Sequence, residues 1–118
     1  MTRSEKIKAF LDLVEETKRE YDWASENRIQ QEKLESDLLH KIELGTAEER
    51  RKAQSRLTRC LKDRRKYKDT EHECKILVDW AESEKKAINQ LKKVLGEVRK
   101  EEKYRATRTY KPKAYKED

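Results

Sequence analysis

The sequence predicts an all-α protein built on a long antiparallel helical hairpin of coiled-coil type. Charged residues make up 47% of its 118 residues and hydrophobic residues 33%, with only two glycines and one proline. This composition is typical of long helices, whereas a sheet protein needs more residues that can form turns. Because so few residues are apolar, we expect narrow seams between helices rather than a wide core.

The first helix is predicted from about Ser4 to Leu44, with a buried stripe of apolar residues close to a seven-residue spacing. The members of this stripe are Ile7, Phe10, Val14, Tyr21, Ala24, Leu38 and Ile42. Polar residues interrupt it between Thr17 and Glu35, where two helices alone bury little. Gly45 ends the helix, since glycine best tolerates the left-handed conformation of a helix C-terminus.

The second helix follows at once, because a capping box is predicted in which Thr46 and Glu49 each accept from the other's backbone N–H. A helix that stops just before another starts indicates a tight hairpin. We expect this helix over residues 47–82, and folding the chain back places Leu38 opposite Ala53. Its seam residues are Ala53, Leu57, Cys60, Tyr67, Cys74, Leu77, Val78 and Ala81.

A third helix is predicted over residues 84–104, packed on the open end of the hairpin. Additional apolar residues widen the two stripes there, and we expect the third helix to cover them: Leu11, Leu13, Ile76 and Trp80. Ser83 is its expected N-cap. Gly96 costs the helix about 1 kcal/mol relative to alanine, which indicates close packing. The stripe that faces the hairpin consists of Ile88, Leu91, Leu95 and Val98.

These three helices form one predicted domain over residues 1–104, and residues 105–118 form a basic, tyrosine-rich tail. Pro112 prevents a regular helix there. Tyrosines between cations suit stacking on nucleobases together with contact to phosphates. We therefore take Tyr104, Arg108 and Tyr110 as candidate binding residues, and the alternative is a solvated tail that binds nothing.

The excess of positive charge lies on the later two-thirds of the chain. The net charges of residues 1–45, 46–82 and 83–118 are −3, +3 and +6, which favours pairing of the first two helices and implies an acidic partner. The segment 50–68 holds ten basic residues and one acid, Asp63. Seven of these cations fall on one half of the helix surface: Arg51, Lys52, Arg56, Arg59, Lys62, Arg65 and Lys66. The opposite half carries Ala53, Leu57, Cys60, Leu61 and Tyr67.

The cationic face has two interpretations. Basic helix faces are often merely solvated, but they then carry glutamates at i, i+4 spacing, and these are nearly absent here. The face is therefore a candidate site for phosphates or acidic side chains. Arg64 is different, because it lies among the seam positions and is expected to pair with Glu32, Glu35 or Asp63.

The sequence contains no pattern that indicates catalysis or a cofactor. It lacks a phosphate-binding glycine loop, a nucleophile elbow and repeated CxxC pairs, so we expect neither an enzyme nor a metal site. Cys60 and Cys74 lie about 21 Å apart by helical rise, too far for a disulfide, and are expected to be reduced core residues. Trp23 lies off the main seam and is a candidate anchor for self-association or for a partner.

The expected location is the cytoplasm. The longest apolar runs fall far short of the roughly 20 residues that cross a bilayer. Residues 1–4 lead into an amphipathic helix rather than a signal peptide. Neither a membrane nor a small-molecule substrate is expected as a partner.

The segments LLHKIEL at 38–44, KDRRKYKD at 62–69 and RTYKPK at 108–113 together resemble small helical accessory proteins encoded by phages and prophages. The resemblance implies a host-directed role and location in the host cell cytoplasm. Inhibitors of CRISPR-type nucleases are a prominent class among such proteins, although many of those are acidic and this chain is basic.

We therefore expect a non-enzymatic protein whose basic helical arm binds nucleic acid or a nucleoprotein. Under the resemblance, the target is a CRISPR-type nuclease or other host machinery. The alternative is a structural coiled-coil scaffold or homodimeric adaptor without nucleic-acid contact. The sequence leaves the choice among DNA, RNA and an acidic protein open.

Overall fold

The computed structural model describes residues 1–115, and within them the chain forms three helices and no strand. They are α1 (Arg3–Leu44), α2 (Ala47–Ser83) and α3 (Lys85–Thr107). The predicted all-α class and the helical hairpin are confirmed. α3 continues beyond the predicted end at residue 104, so the non-helical tail begins later. The end of that predicted tail, residues 116–118, lies outside the described residues.

The helices form two compact units. One contains residues 12–84, which is most of α1 together with α2; the other combines residues 1–11 with α3 and the chain that follows it. The expectation of a single domain over residues 1–104 stays a prediction. No helix within residues 1–115 combines the length and the apolar character needed to cross a membrane.

The hairpin unit has its apolar core near the turn. Leu38, Ala53 and Cys60 are buried together, as the predicted register of Leu38 opposite Ala53 requires. Partly buried apolar side chains pack against this cluster: Leu34, Ile42 and Leu57. The Cys60 thiol donates a hydrogen bond to the Gln31 carbonyl oxygen at 3.1 Å. It ties the two helices together about two turns further from the hairpin loop than Leu38 and Ala53.

The hairpin turn occurs where it was predicted, but its geometry differs from the prediction. Gly45 does not have a positive φ, so the expected left-handed conformation is wrong. Glycine is required for another reason: a Cβ at this position would lie 2.5 Å from the Lys41 carbonyl oxygen. Thr46 Oγ1 accepts from the Glu49 backbone N–H at 3.3 Å, while the Glu49 carboxylate accepts from Lys41 Nζ at 3.2 Å. Half of the predicted capping box therefore forms.

The second unit joins the two ends of the helical chain. The Glu102 carboxylate of α3 accepts from the Ser4 backbone N–H at 3.1 Å and from the Ser4 hydroxyl at 2.6 Å. These hydrogen bonds cap the first turn of α1 and hold α3 against it. They also lower the pKa of Glu102, with the hydroxyl contributing most.

Three smaller predictions about the third helix are wrong. Ser83 is the last residue of α2 and its hydroxyl donates to the Trp80 carbonyl oxygen at 2.8 Å, so it does not cap α3. Gly96 does not mark close packing, since a Cβ there would meet nothing within 4 Å. Leu11 is buried as expected, but Leu13, Ile76 and Trp80 are exposed rather than covered.

Candidate functional site

The outer face of α2 carries all seven cations predicted as binding residues, and every one of them is exposed: Arg51, Lys52, Arg56, Arg59, Lys62, Arg65 and Lys66. The buried residues of α2 include Ala53, Cys60 and Cys74, which repeat on the side that faces α1. One stretch of helix therefore has an inner face that packs and an outer face that is cationic. From residue 51 to residue 66 the outer face extends about 22 Å at the rise of an α-helix.

Acidic neighbours compensate very little of this charge. Lys52 Nζ lies 3.5 Å from Glu48 Oε1, and both side chains are largely exposed, so this pair contributes little stability. For the other six predicted cations, no acidic oxygen of residues 1–115 lies within the 4.0 Å of an ion pair. Their mutual repulsion is screened by water and salt alone. The fold makes no use of these six charges.

Arg64, in contrast, lies in the seam and is paired. Its Nη1 donates to Glu35 Oε2 at 3.2 Å, and its Nε lies 3.7 Å from Glu32 Oε1. The prediction that Arg64 is a structural residue paired with acids of the first helix is confirmed. Arg64 Nε is fully buried and has no hydrogen bond within normal length, so the ion pairs hold this guanidinium mainly through Nη1.

A second polar contact, next along the seam, was missed in the sequence. The Glu71 side chain, only 10% exposed, accepts from Arg28 Nε and from the Ser25 hydroxyl, the latter at 2.8 Å. Arg28 Nη1 also donates to Glu32 at 2.9 Å. A signal was present, because Glu71 follows Arg64 by seven residues and so occupies an equivalent seam position.

The protonation of Glu71 reflects this pairing. Burial raises the pKa of the carboxyl group, but the hydrogen bonds from Arg28 and Ser25 outweigh burial and leave the pKa below its usual range. The hydrogen bond that Arg28 donates to Glu71, and after it the one that Arg28 donates to Glu32, raise the pKa of Arg28. Both groups stay ionised near neutral pH, so the seam contains a fixed layer of paired charges.

The candidate residues of the tail lie together, in the unit that contains α3. Tyr104, Arg108 and Tyr110 line one open cavity of about 720 Å³, and all three are exposed. The cations of α2 belong to the hairpin unit. The predicted binding residues therefore belong to two different units, with one group on a helix face and the other around a cavity.

Two apolar residues of the hairpin are more exposed than a seam requires. Trp23 is 54% exposed, and its ring meets the Tyr67 ring edge to face, with centroids 5.4 Å apart. This matches the prediction that Trp23 lies off the main seam. Leu61, expected on the packed half of α2, is exposed and lines a small cavity of about 260 Å³ with Arg64, Arg65 and Lys68.

The cysteines have no sign of a functional role. Cys60 and Cys74 are both free and buried, as predicted for reduced core residues. Burial raises the pKa of each thiol, which makes it a poor nucleophile at neutral pH. Within residues 1–115, no group of histidine, cysteine and acidic side chains has a metal-binding arrangement.

Comparisons with known proteins provide no relative from which a function could be transferred. No family model matches the chain, and neither a curated protein nor a solved structure does. The candidate site therefore rests on the residues of this chain.

Proposed function

We propose that this chain is a non-enzymatic binding protein whose cationic α2 face binds the phosphates of nucleic acid, free or within a nucleoprotein. The observation that carries the proposal is the set of exposed cations on that face that have no acidic partner. Unpaired like charges side by side cost free energy unless a ligand neutralises them. Release of counterions from a polyanion supplies a large favourable term when such a face binds.

The dimensions of the face suit a nucleic-acid backbone. Its extent of about 22 Å corresponds to about six base pairs along the axis of a duplex, at a rise of about 3.4 Å per phosphate of each strand. Lysine and arginine contacts to phosphates position a protein without reading sequence. We therefore expect binding that depends strongly on salt and weakly on base sequence.

The resemblance to phage-encoded accessory proteins sharpens this proposal towards a host target. A basic protein of this kind would act on a CRISPR-type nuclease or on other host machinery. It would bind the nucleic acid that the target carries, or an acidic surface of the target near that nucleic acid. This reading depends on the resemblance, whereas phosphate binding depends on the cations of α2. The anisotropy experiment on variants of α2 tests phosphate binding alone.

The test compares the wild type with a variant that lacks four cations of the outer face. Arg56, Arg59, Lys62 and Lys66 are all replaced by glutamine, and fluorescence anisotropy measures binding of labelled duplex DNA and RNA at low salt. Each phosphate contact is worth several-fold in affinity at low salt, so we expect affinity to fall by at least about 100-fold. Circular dichroism should show an unchanged helical content, because all four side chains are exposed.

A control variant with the same change in net charge separates a local site from general electrostatics. It replaces four exposed cations elsewhere in the hairpin by glutamine: Lys18, Arg19, Lys33 and Lys75. We expect this control to lose only a few-fold in affinity. Equal losses in both variants, or retention of full affinity in the α2 variant, would contradict a binding face on α2. Wild-type protein without measurable affinity would direct the search to acidic protein partners.

A scaffold or homodimeric adaptor is the second candidate function, and the exposure of Trp23 favours it. A large aromatic side chain that is half exposed on a helix is a frequent anchor of interfaces. Sedimentation at micromolar concentration would detect a dimer in the wild type and a shift towards monomer after Trp23→Ala. A strictly monomeric wild type at this concentration rules out the homodimeric adaptor.

A further inference from the structure

The end of α3 and the chain after it form the cavity in which the tail tyrosines lie. The Arg108 backbone N–H donates to the Tyr104 carbonyl oxygen at 2.8 Å and closes the last helical turn. Pro112 cannot continue a helix, since it has no N–H to donate, and the chain bends at residues 113–114. The segment thereby borders an open space beside Tyr104.

Three aromatic rings and three cations line this cavity of about 720 Å³: Tyr104, Tyr110, Tyr115, Arg108, Lys111 and Lys113. The tyrosines are 59%, 83% and 74% exposed, and none of their rings contacts another aromatic ring within residues 1–115. No acidic oxygen of the described residues pairs with the three cations. The cavity is thus lined by open aromatic faces and by cations that have no acidic partner within residues 1–115.

We propose that this cavity binds unpaired nucleobases of a single-stranded nucleic acid, with its cations holding the flanking phosphates. Exposed aromatic faces stack on any base that has left its own stack, and cations beside them follow the backbone. Bases inside a duplex are already stacked and cannot enter. The cavity is open, so bases and the backbone of a single strand can reach the exposed rings. The inference rests on the proposed function and adds that this second site binds single-stranded rather than duplex nucleic acid.

The experiment measures the affinity of the full chain for a labelled oligothymidylate strand and for a duplex of the same length. The variant replaces Tyr104, Tyr110 and Tyr115 by alanine, and the matched variant replaces the same residues by phenylalanine. Removal of one stacking ring weakens binding by about fivefold or more. We therefore expect a loss of at least about 20-fold on the single strand, little change on the duplex, and recovery of affinity in the phenylalanine variant.

Other patterns of loss overturn the inference. If affinity for single strand and duplex falls equally, or if neither falls, the tyrosines do not stack on unpaired bases. If the phenylalanine variant is as weak as the alanine variant, the phenol hydroxyls act and stacking does not. Binding of polyglutamate in place of the oligothymidylate, with the same dependence on the tyrosines, would assign the cavity to an acidic protein.

Failure of this inference differs from failure of the proposed function. The glutamine variant of α2 measures duplex binding and leaves the tail unchanged, whereas the tyrosine variants leave α2 unchanged. Loss of duplex binding in the α2 variant alone, with no effect of the tyrosine variants, would overturn only the single-strand site. Loss of single-strand binding in the alanine variant of the tyrosines, with no loss of duplex binding in the α2 variant, would overturn only the binding face on α2.

Discussion

Arg64 and Arg65 are consecutive residues of α2, yet Arg64 lies in the seam of the hairpin and Arg65 lies on the outer face. Arg64 faces α1 and pairs with Glu35 and Glu32. Arg65 is exposed and has no acidic partner within residues 1–115. A helix turns by about 100° per residue, which is enough to move one arginine from the seam to the outer face.

The comparison teaches that the same residue type serves two purposes along α2. A buried or half-buried charge must be paired, because burial without a partner costs several kcal/mol. An exposed charge costs the fold far less when it is left unpaired, because water and salt screen it. The inner charges are therefore bound to the fold, and the outer charges remain available for a ligand. The following predictions test this separation between inner and outer faces.

The largest effect on folding is expected from the apolar part of the inner face. Leu38 is 5% exposed, whereas its neighbour Leu39 is 49% exposed. Leu38→Ala should lower the free energy of unfolding by about 3 kcal/mol, and Leu39→Ala by no more than about 0.5 kcal/mol. Urea unfolding followed by circular dichroism measures both. Similar losses in the two variants would mean that the hairpin does not have one buried face.

The polar layer of the inner face should have the next largest effect. Glu71→Leu removes the acceptor of the Arg28 and Ser25 hydrogen bonds and should destabilise the protein by about 2 kcal/mol, the cost of leaving buried groups unpaired. Glu73→Leu is the matched control, because Glu73 is exposed on the same helix. If Glu71→Leu were neutral in urea unfolding, the layer would contribute only specificity of pairing, as some buried polar groups do.

The sequence predicted the hairpin well because its turn and register depend on local signals. Gly45 and Thr46 identify the turn, and counting back from it places Leu38 opposite Ala53. Arg64 could also be assigned, since a lone cation in a seam needs an acid. The predicted seam left out Glu71, although it follows Arg64 by seven residues and occupies an equivalent position.

Other features had no local signal to be read. Ser4 and Glu102 are separated by 98 positions, so nothing in either segment identifies the partner. Ser83 looked like a helix start because serine suits an N-cap, but its hydroxyl bonds back to its own helix instead. For the candidate site, the sequence identified the cations and tyrosines, but not that Tyr104, Arg108 and Tyr110 share one cavity.

Single substitutions of the adjacent arginines should separate stability from binding. Arg64→Gln should cost about 1 kcal/mol of stability, because it breaks a partly exposed pair, with little effect on affinity for nucleic acid. Arg65→Gln should leave the unfolding midpoint unchanged and weaken duplex binding several-fold at low salt. Thermal unfolding and anisotropy on the same two proteins provide the comparison. A reversed pattern would refute the assignment of the two faces.

Acidic pH should lower the stability of the folded protein, in part through protonation of Glu71. The pKa of Glu71 is lowered in the folded protein, so the unfolded chain binds its proton more readily. The stability from this carboxylate is complete above the unfolded pKa of about 4.3 and is lost as the pH falls through the lower, folded pKa. The pKa of Glu102 is also lowered in the folded protein. Between neutral and acidic pH, the melting temperature of Glu71→Gln should therefore decline less than that of the wild type, but it should still decline measurably because Glu102 remains.

The salt dependence of duplex binding by the wild type tests the central claim most directly. Anisotropy titrations across a series of salt concentrations give the slope of log K against log salt concentration. If the outer cations of α2 neutralise phosphates, the slope should lie between about −4 and −6, since each contact contributes about −0.9. A slope near zero, or no binding at low salt, would mean that the outer face of α2 does not bind nucleic-acid phosphates.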